Sequence, residues 1–100
     1  MILRHRLTRR AKRDIAFARE WYKAQGEDLA NQFVDELQGA FRVICQRPSS
    51  FPAVMDEIRS ARCDRFPYRI YFVPHPECVD ILAVYHTSRN PGQWDDPSRD

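Results

Sequence analysis

Apolar residues change their spacing twice along the chain, from a short strand period to a helical period and back to a strand period. Residues 2–7 alternate apolar and basic side chains over part of their length and predict a short strand. Thr8 then offers an N-cap for a first helix, and Gly26 is a suitable stop for it. The apolar positions of this helix recur at steps of four, three and four: Ala11, Ile15, Ala18 and Tyr22.

A second helix is predicted directly after Gly26, and Pro48 ends it because proline cannot continue a helix. Two helices joined by a short turn predict an antiparallel αα-hairpin. The second helix has a broad apolar face: Leu29, Phe33, Leu37, Ala40, Phe41, Ile44 and Cys45.

The second half of the chain has the pattern of strands. Residues 48–52 form a loop, and residues 68–73 are rich in the aromatic and β-branched side chains that strands favour. Residues 79–85, nearly all apolar, predict a central strand, whereas residues 58–66 are a weaker candidate because charged side chains interrupt them. The predicted order is β-α-α-β-β-β. This is an α+β fold with the αα-hairpin packed on one face of a mostly antiparallel sheet.

Length and composition narrow the class of protein further. A chain of 100 residues with 43% hydrophobic and 30% charged residues is one globular domain, which we assign to residues 1–94. Residues 95–100 predict a flexible C-terminal tail. The net charge is only +2, but fourteen of the 16 basic residues are arginines. Arginine suits partners that carry carboxylate or phosphate groups.

The sequence predicts a cytoplasmic protein that works without a cofactor. No apolar run approaches the roughly 18 residues of a membrane-spanning helix, and no signal peptide is recognisable. The three cysteines are an odd number without a CxxC pair, so we expect free thiols. His75 and Cys78 lie three positions apart around a proline, which predicts a turn rather than a zinc site. We therefore expect no metal and no cofactor.

Four short segments together carry a resemblance to a known family. Residues 66–71 (FPYRIY) enter one predicted strand, and residues 84–91 (VYHTSRNP) leave the next. Residues 8–11 (TRRA) begin the first helix, and Pro48 closes the second. In this order the chain resembles the RelE/ParE superfamily of bacterial toxins, and it is closer to the ParE-like branch.

The resemblance implies a toxin of a type II toxin–antitoxin system, of the kind also known for plasmid stabilisation and growth inhibition. Such toxins are cytoplasmic and form hetero-oligomers with an antitoxin, which usually wraps a helix and an extended segment around the toxin. ParE-like toxins inhibit DNA gyrase by binding to it. RelE-like toxins instead cut messenger RNA on the ribosome.

The residues near the last predicted strand bear on which activity this chain has. RNA cleavage without a metal needs a proton acceptor, a proton donor and cations around the phosphate. RelE-like toxins often supply these with lysines and a C-terminal tyrosine or histidine. Here no lysine lies in the second half of the chain, and no tyrosine follows Tyr85. His86 and Arg89 are the remaining candidates for catalysis. The alternative is that His86 binds to the backbone and Arg89 pairs with a carboxylate.

Two further groups of residues are candidates for binding. One is a set of arginines that we expect to contact the target or a phosphate: Arg59, Arg62, Arg65 and Arg69. The other is a set that we expect to bind the antitoxin: Arg10, Arg13, Phe17, Trp21 and Trp94. Two plainer interpretations stay open for the second set. In the first, the basic residues only form a solvated helix face. In the second, the two helical aromatic residues only widen the contact of the helix with the core.

We therefore expect a toxin that is neutralised by an antitoxin and inhibits DNA gyrase by binding. One alternative is a ribosome-dependent mRNA endoribonuclease of the RelE type, with the ribosome and mRNA as partners and His86 and Arg89 in the site. Another is a non-toxic remnant that binds antitoxin only.

Overall fold

Two helices pack on one face of a five-stranded sheet, which confirms the predicted α+β class. The computed structural model describes residues 3–88. The strands follow the order β1-β5-β4-β3-β2 across the sheet, and no helix in this range is long and apolar enough to cross a membrane. In chain order the elements are β1 (Arg4–Leu7), α1 (Arg9–Lys23), α2 (Glu27–Gln46), β2 (Ala53–Met55), β3 (Ile58–Arg62), β4 (Tyr68–Pro74) and β5 (Cys78–His86).

The two helices begin and end close to the positions that the sequence indicates. The Thr8 hydroxyl accepts a hydrogen bond from the Ala11 amide and donates one to the Leu82 carbonyl, so it caps α1 and ties it to β5. Gly26 has two roles. Its amide donates to the Tyr22 carbonyl at the end of α1, and its carbonyl accepts from the first turn of α2. The predicted stop therefore also starts the second helix, and Ala24 is the C-cap of α1.

The sheet contains one element and one pairing that the sequence did not indicate. Part of the predicted loop at residues 48–52 is a 3₁₀ turn, Pro48–Ser50, and the short edge strand β2 follows it. Strand β1 pairs in parallel with β5, while the other neighbours are antiparallel. The weak strand candidate at residues 58–66 is a strand only as far as Arg62.

The pleat divides the strand residues between a helix-facing side and an opposite side, which we call the outer face. Ile70, Phe72 and Ile81 belong to the core beneath the helices. Their neighbours along the strands point the other way. The charged and tyrosine side chains of the outer face are Arg4, Arg6, Arg62, Arg69, Tyr71, Asp80 and Tyr85.

A cluster of aromatic rings joins both helices to one end of the sheet. Tyr22 of α1 lies with its ring centroid 5.2 Å from that of Phe33 in α2 and 5.1 Å from that of Phe66. Phe33 is in turn 5.1 Å from Tyr68 at the start of β4. All four rings are buried. Such pairs contribute about 0.5–1.5 kcal/mol each beyond the area they bury.

Glu36 on α2 fixes the segment that carries Phe66. Its carboxylate accepts hydrogen bonds from the backbone amides of Arg65, at 2.9 Å, and Phe66, at 2.8 Å. Arg65 Nε also lies 3.5 Å from a Glu36 oxygen. The carboxylate thus satisfies two amides in the β3–β4 connection that no strand partner reaches.

We expect Glu36→Ala to lower the free energy of unfolding by about 2 kcal/mol, because two amides lose a charged acceptor. Urea denaturation followed by circular dichroism measures this change. Asp35→Ala is the matched control, since Asp35 is exposed on the same helix. Equal stability of the two variants would contradict the role given to Glu36.

Candidate interaction surfaces

One face of α1 carries large aromatic side chains that the core does not cover. Phe17 is 70% exposed and Trp21 is 55% exposed, while Ala18 and Tyr22 on the adjacent stripe are buried. The Trp21 ring lies edge to face against that of Tyr22, with the centroids 5.1 Å apart. Arg13 lies on the same face about one turn before Phe17, and Arg10 about two turns before it, because residues three and four apart are neighbours on a helix. We call Arg10, Arg13, Phe17 and Trp21 the α1 face.

A groove of about 250 Å³ lies beside the aromatic half of the α1 face, where α1 crosses the ends of β4 and β5. It brings the exposed aromatic side chains next to a candidate catalytic residue. Its lining residues are Asp14, Phe17, Ala18, Trp21, Tyr68, His86 and Ser88. The Asp14 carboxylate also accepts a hydrogen bond from the Val84 amide at 2.9 Å, which fixes this part of α1 against β5.

His86 is held by contacts on two sides. Its ring meets that of Tyr68 edge to face, with the centroids 5.1 Å apart. Its Nδ1 accepts a hydrogen bond from the Ser88 amide at 3.2 Å and lies 2.7 Å from the Ser88 hydroxyl. A nitrogen that accepts a backbone hydrogen bond carries no proton, so this arrangement fits the neutral imidazole with its proton on Nε2. His86 thus binds to the backbone, as the second interpretation of the sequence has it.

The four candidate arginines of β3, β4 and their connection do not form one site. Arg59 lies on the helix-facing side, where its guanidinium donates to the Phe51 carbonyl, and Arg65 pairs with Glu36. Only Arg62 and Arg69 share the outer face, where they are direct cross-strand partners. Two other predicted site residues, Arg89 and Trp94, lie outside residues 3–88, as does the predicted tail.

His86 and the paired arginines lie on opposite faces of the sheet. His86 is the cross-strand partner of Tyr68, which belongs to the core, whereas the next pair along the same strands is Arg69 and Tyr85 on the outer face. A β-sheet separates the two sets of side chains. They therefore cannot contact the same phosphate group.

The outer face contains an ordered set of polar contacts. Arg69 donates from Nη1 to the Ser60 hydroxyl at 2.9 Å, and Ser60 is only 1% exposed. The Tyr71 and Tyr85 rings lie 5.6 Å apart, and the Arg10 guanidinium carbon lies 4.7 Å from the centre of the Tyr85 ring. Arg10 therefore reaches from α1 to the outer face and makes a cation–π contact there.

At the other end of the outer face, one carboxylate connects β1 to the β4–β5 turn. Asp80 Oδ1 accepts from Arg6 Nε at 2.9 Å, and Asp80 Oδ2 lies 2.9 Å from His75 Nε2. Burial alone would raise the pKa of Asp80, but the hydrogen bonds from Arg6 and His75 outweigh it and hold that pKa below its usual value. Asp80 thus remains charged and already has two partners.

Comparison with known proteins identifies the family. The family model described as "ParE toxin of type II toxin-antitoxin system, parDE" matches residues 5–91. The chain belongs to the ParE toxin family. A solved structure titled "Chromosomal ParDE TA system from P. aeruginosa" has the same fold, with a TM-score of 0.76 and 18% sequence identity. The match covers 87% of this chain and 98% of that one. The curated proteins contain no match.

Membership of the ParE family gives the chain a function at the level of the system. It is the toxin component of a type II toxin–antitoxin system, and such a system implies an antitoxin as its partner. The toxin prediction and the RelE/ParE-like fold are therefore confirmed. The residues that bind the antitoxin and the target stay predictions.

In this ParE toxin two further grooves flank α2, and neither was predicted from the sequence. The larger one, about 500 Å³, runs between α2 and β1 and is lined by the side chains of Leu3, His5 and Leu7. The sequence did contain a signal for this groove, because side chains alternate along a strand and residues 3, 5 and 7 therefore lie together on the helix-facing side. The other groove, about 380 Å³, lies between α2 and β3.

Two cysteines of the ParE toxin, Cys45 and Cys63, are packing residues rather than nucleophiles. Cys45, Cys63 and Cys78 are free thiols, as the odd count predicts, and the first two are buried. Burial, with a smaller effect from the Glu36 and Asp64 carboxylates, raises the pKa of Cys63 to about 12. A thiol with so high a pKa is protonated at neutral pH and is a poor nucleophile.

We expect ¹⁵N NMR at pH 8 to show His86 of the ParE toxin as the Nε2–H tautomer. The reason is that Nδ1 accepts from Ser88. Because a backbone amide also donates to Nδ1, Ser88→Ala should keep the same tautomer, whereas His5, which lacks this acceptor arrangement, serves as the internal reference. A dominant Nδ1–H signal from His86 would show that the Ser88 contact is absent in solution.

Proposed function

We propose that this toxin stops growth in the cytoplasm by binding DNA gyrase, and that its antitoxin neutralises it by covering the α1 face. The observation that carries the antitoxin part is the exposure of Phe17 and Trp21 side by side on a helix. Gyrase as the target follows from the resemblance to ParE-like toxins.

The chemistry of the α1 face supports a particular kind of antitoxin segment. Exposed aromatic side chains next to a groove are typical of interaction sites, and tryptophan and arginine are common among residues that dominate binding energy. The aromatic half suits an apolar anchor side chain, and Arg10 and Arg13 suit acidic side chains one to two turns away. The partner segment is therefore amphipathic, with its acidic residues at one end.

The groove beside β1 supports a second antitoxin contact. Strand β1 is an edge of the sheet, and its residues Arg4 to Arg6 are exposed. An edge strand can pair with an extended segment of a partner, and a flanking groove can take that segment's side chains. An antitoxin that wraps the toxin would place a helix on α1 and an extended segment here.

The separation of His86 from Arg62 and Arg69 supports a mechanism based on binding. An endoribonuclease needs its proton-transfer group and its phosphate-binding cations around one phosphate. In this toxin the sheet lies between the two sets. A toxin that acts by binding to its target does not need a proton-transfer group and cations around one phosphate.

We expect Phe17→Ala combined with Trp21→Ala to weaken antitoxin binding at least about thirtyfold, because even a single anchor residue of this kind contributes about 2 kcal/mol. Isothermal titration calorimetry with the cognate antitoxin measures the affinity. Val54→Ala is the control, since Val54 is an exposed apolar residue on β2. Unchanged affinity of the double variant would move the antitoxin away from the α1 face.

We also expect the purified toxin to inhibit DNA supercoiling by gyrase and the antitoxin to restore it. The same preparation should leave ribosome-bound mRNA intact. Cleaved mRNA with normal supercoiling would instead support the endoribonuclease alternative. Growth without arrest, despite a folded toxin and no antitoxin, would support the non-toxic remnant.

A further inference from the structure

The outer face of the sheet concentrates positive charge that the net charge of +2 hides. Within residues 3–88, its strand positions carry four arginines and a single carboxylate, Asp80. That carboxylate is already shared between Arg6 and His75. The outer face thus presents an excess of cations on rigid strands, away from the helices that the antitoxin proposal uses.

The centre of this excess is the pair formed by Arg62 and Arg69. The two residues lie directly opposite each other on β3 and β4. Like charges in this position destabilise a sheet. Neither guanidinium makes an ion pair with a carboxylate of residues 3–88. A bound anion is one way to offset the repulsion.

Arg69 is held in place before any ligand arrives. The buried Ser60 hydroxyl holds the Arg69 guanidinium at 2.9 Å. Arg62 and Arg69 begin a row of side chains across the sheet, which we call the Arg62–Arg69 row. It continues to Tyr85, the cross-strand partner of Arg69, and Arg10 lies over the Tyr85 ring. Adjacent strands are about 4.8 Å apart, so the row from β3 to β5 extends about 10 Å. This length matches two or three successive phosphates of a nucleic acid strand.

We propose that the Arg62–Arg69 row binds the phosphodiester backbone of a nucleic acid. Guanidinium groups match phosphate oxygens with two parallel hydrogen bonds. A protein partner would favour a large exposed anchor side chain, whereas Tyr71 on this face is half-buried and Tyr85 is buried. The exposed large apolar side chains of residues 3–88 lie on α1, α2 and the edge strand β2, and none lies on β3, β4 or β5. The inference is independent of the proposed target, and its site shares only Arg10 with the α1 face.

The test measures binding of the full-length toxin to two fluorescein-labelled probes of 20 nucleotides, a DNA duplex and a single-stranded RNA. Fluorescence anisotropy at several salt concentrations gives the affinity and its salt dependence. Arg62→Gln combined with Arg69→Gln should weaken binding about tenfold or more. It should also reduce the slope of log K against log salt by about two on duplex DNA. The probe that shows this loss identifies the type of nucleic acid.

A matched double variant distinguishes binding at the Arg62–Arg69 row from a general effect of the protein's positive charge. Arg19→Gln combined with Arg42→Gln removes the same charge from exposed positions on α1 and α2 and should keep the affinity and the slope. Equal losses in the two double variants would overturn the proposal, as would no binding of either probe by the unmodified toxin. Loss of antitoxin binding in the Arg62/Arg69 variant would also overturn it, because the row would then be an antitoxin site. Circular dichroism verifies that each variant is folded.

Discussion

The packing of four aromatic rings between the helices and the sheet is the constraint on which the rest of the structure depends. Tyr22 comes from α1, Phe33 from α2, Phe66 from the β3–β4 connection and Tyr68 from the start of β4. Because rings from all three elements interlock, α1 cannot rotate about its axis without breaking the contacts of Tyr22. Trp21 lies about 100° from Tyr22 around the helix, so it is placed at the edge of the core. Its ring packs edge to face against that of Tyr22, with the centroids 5.1 Å apart, and stays half exposed. The buried cluster therefore fixes the position of the exposed aromatic surface beside it.

The pleat of β4 and β5 has an equally direct consequence for chemistry. Tyr68 and Arg69 are adjacent in the chain and lie on opposite faces of the sheet, and the same is true of Tyr85 and His86. Residues that look like one basic and aromatic cluster in the sequence are thus divided into two surfaces. On the helix side, His86 is held in a groove with aromatic side chains. On the outer face, arginines lie beside tyrosines.

The sequence predicted the parts of this fold that depend on local pattern. The helical stripe, the Thr8 cap and the two long strands are signals within one element, and the structure contains all of them. The parallel pairing of β1 with β5 depends on residues more than 70 positions apart, so no local signal encodes it. The role of Glu36 was missed for the same reason, since its partners are 29 and 30 residues away. The division of Arg59 from Arg62 was readable, because an odd separation along a strand means opposite faces.

Arg10 connects the two surfaces that the pleat and the helix separate. It belongs to the α1 face by its position on the helix, and its guanidinium lies over Tyr85 on the outer face. An acidic antitoxin segment that pairs with Arg10 neutralises a charge next to the Arg62–Arg69 row. If the antitoxin and the nucleic acid bind as proposed above, antitoxin binding would weaken binding of a phosphate backbone by that row, and by linkage a bound nucleic acid would weaken antitoxin binding by the same factor. On these two proposals, the position of Arg10 over Tyr85 would let an antitoxin on the α1 face also act on the outer face.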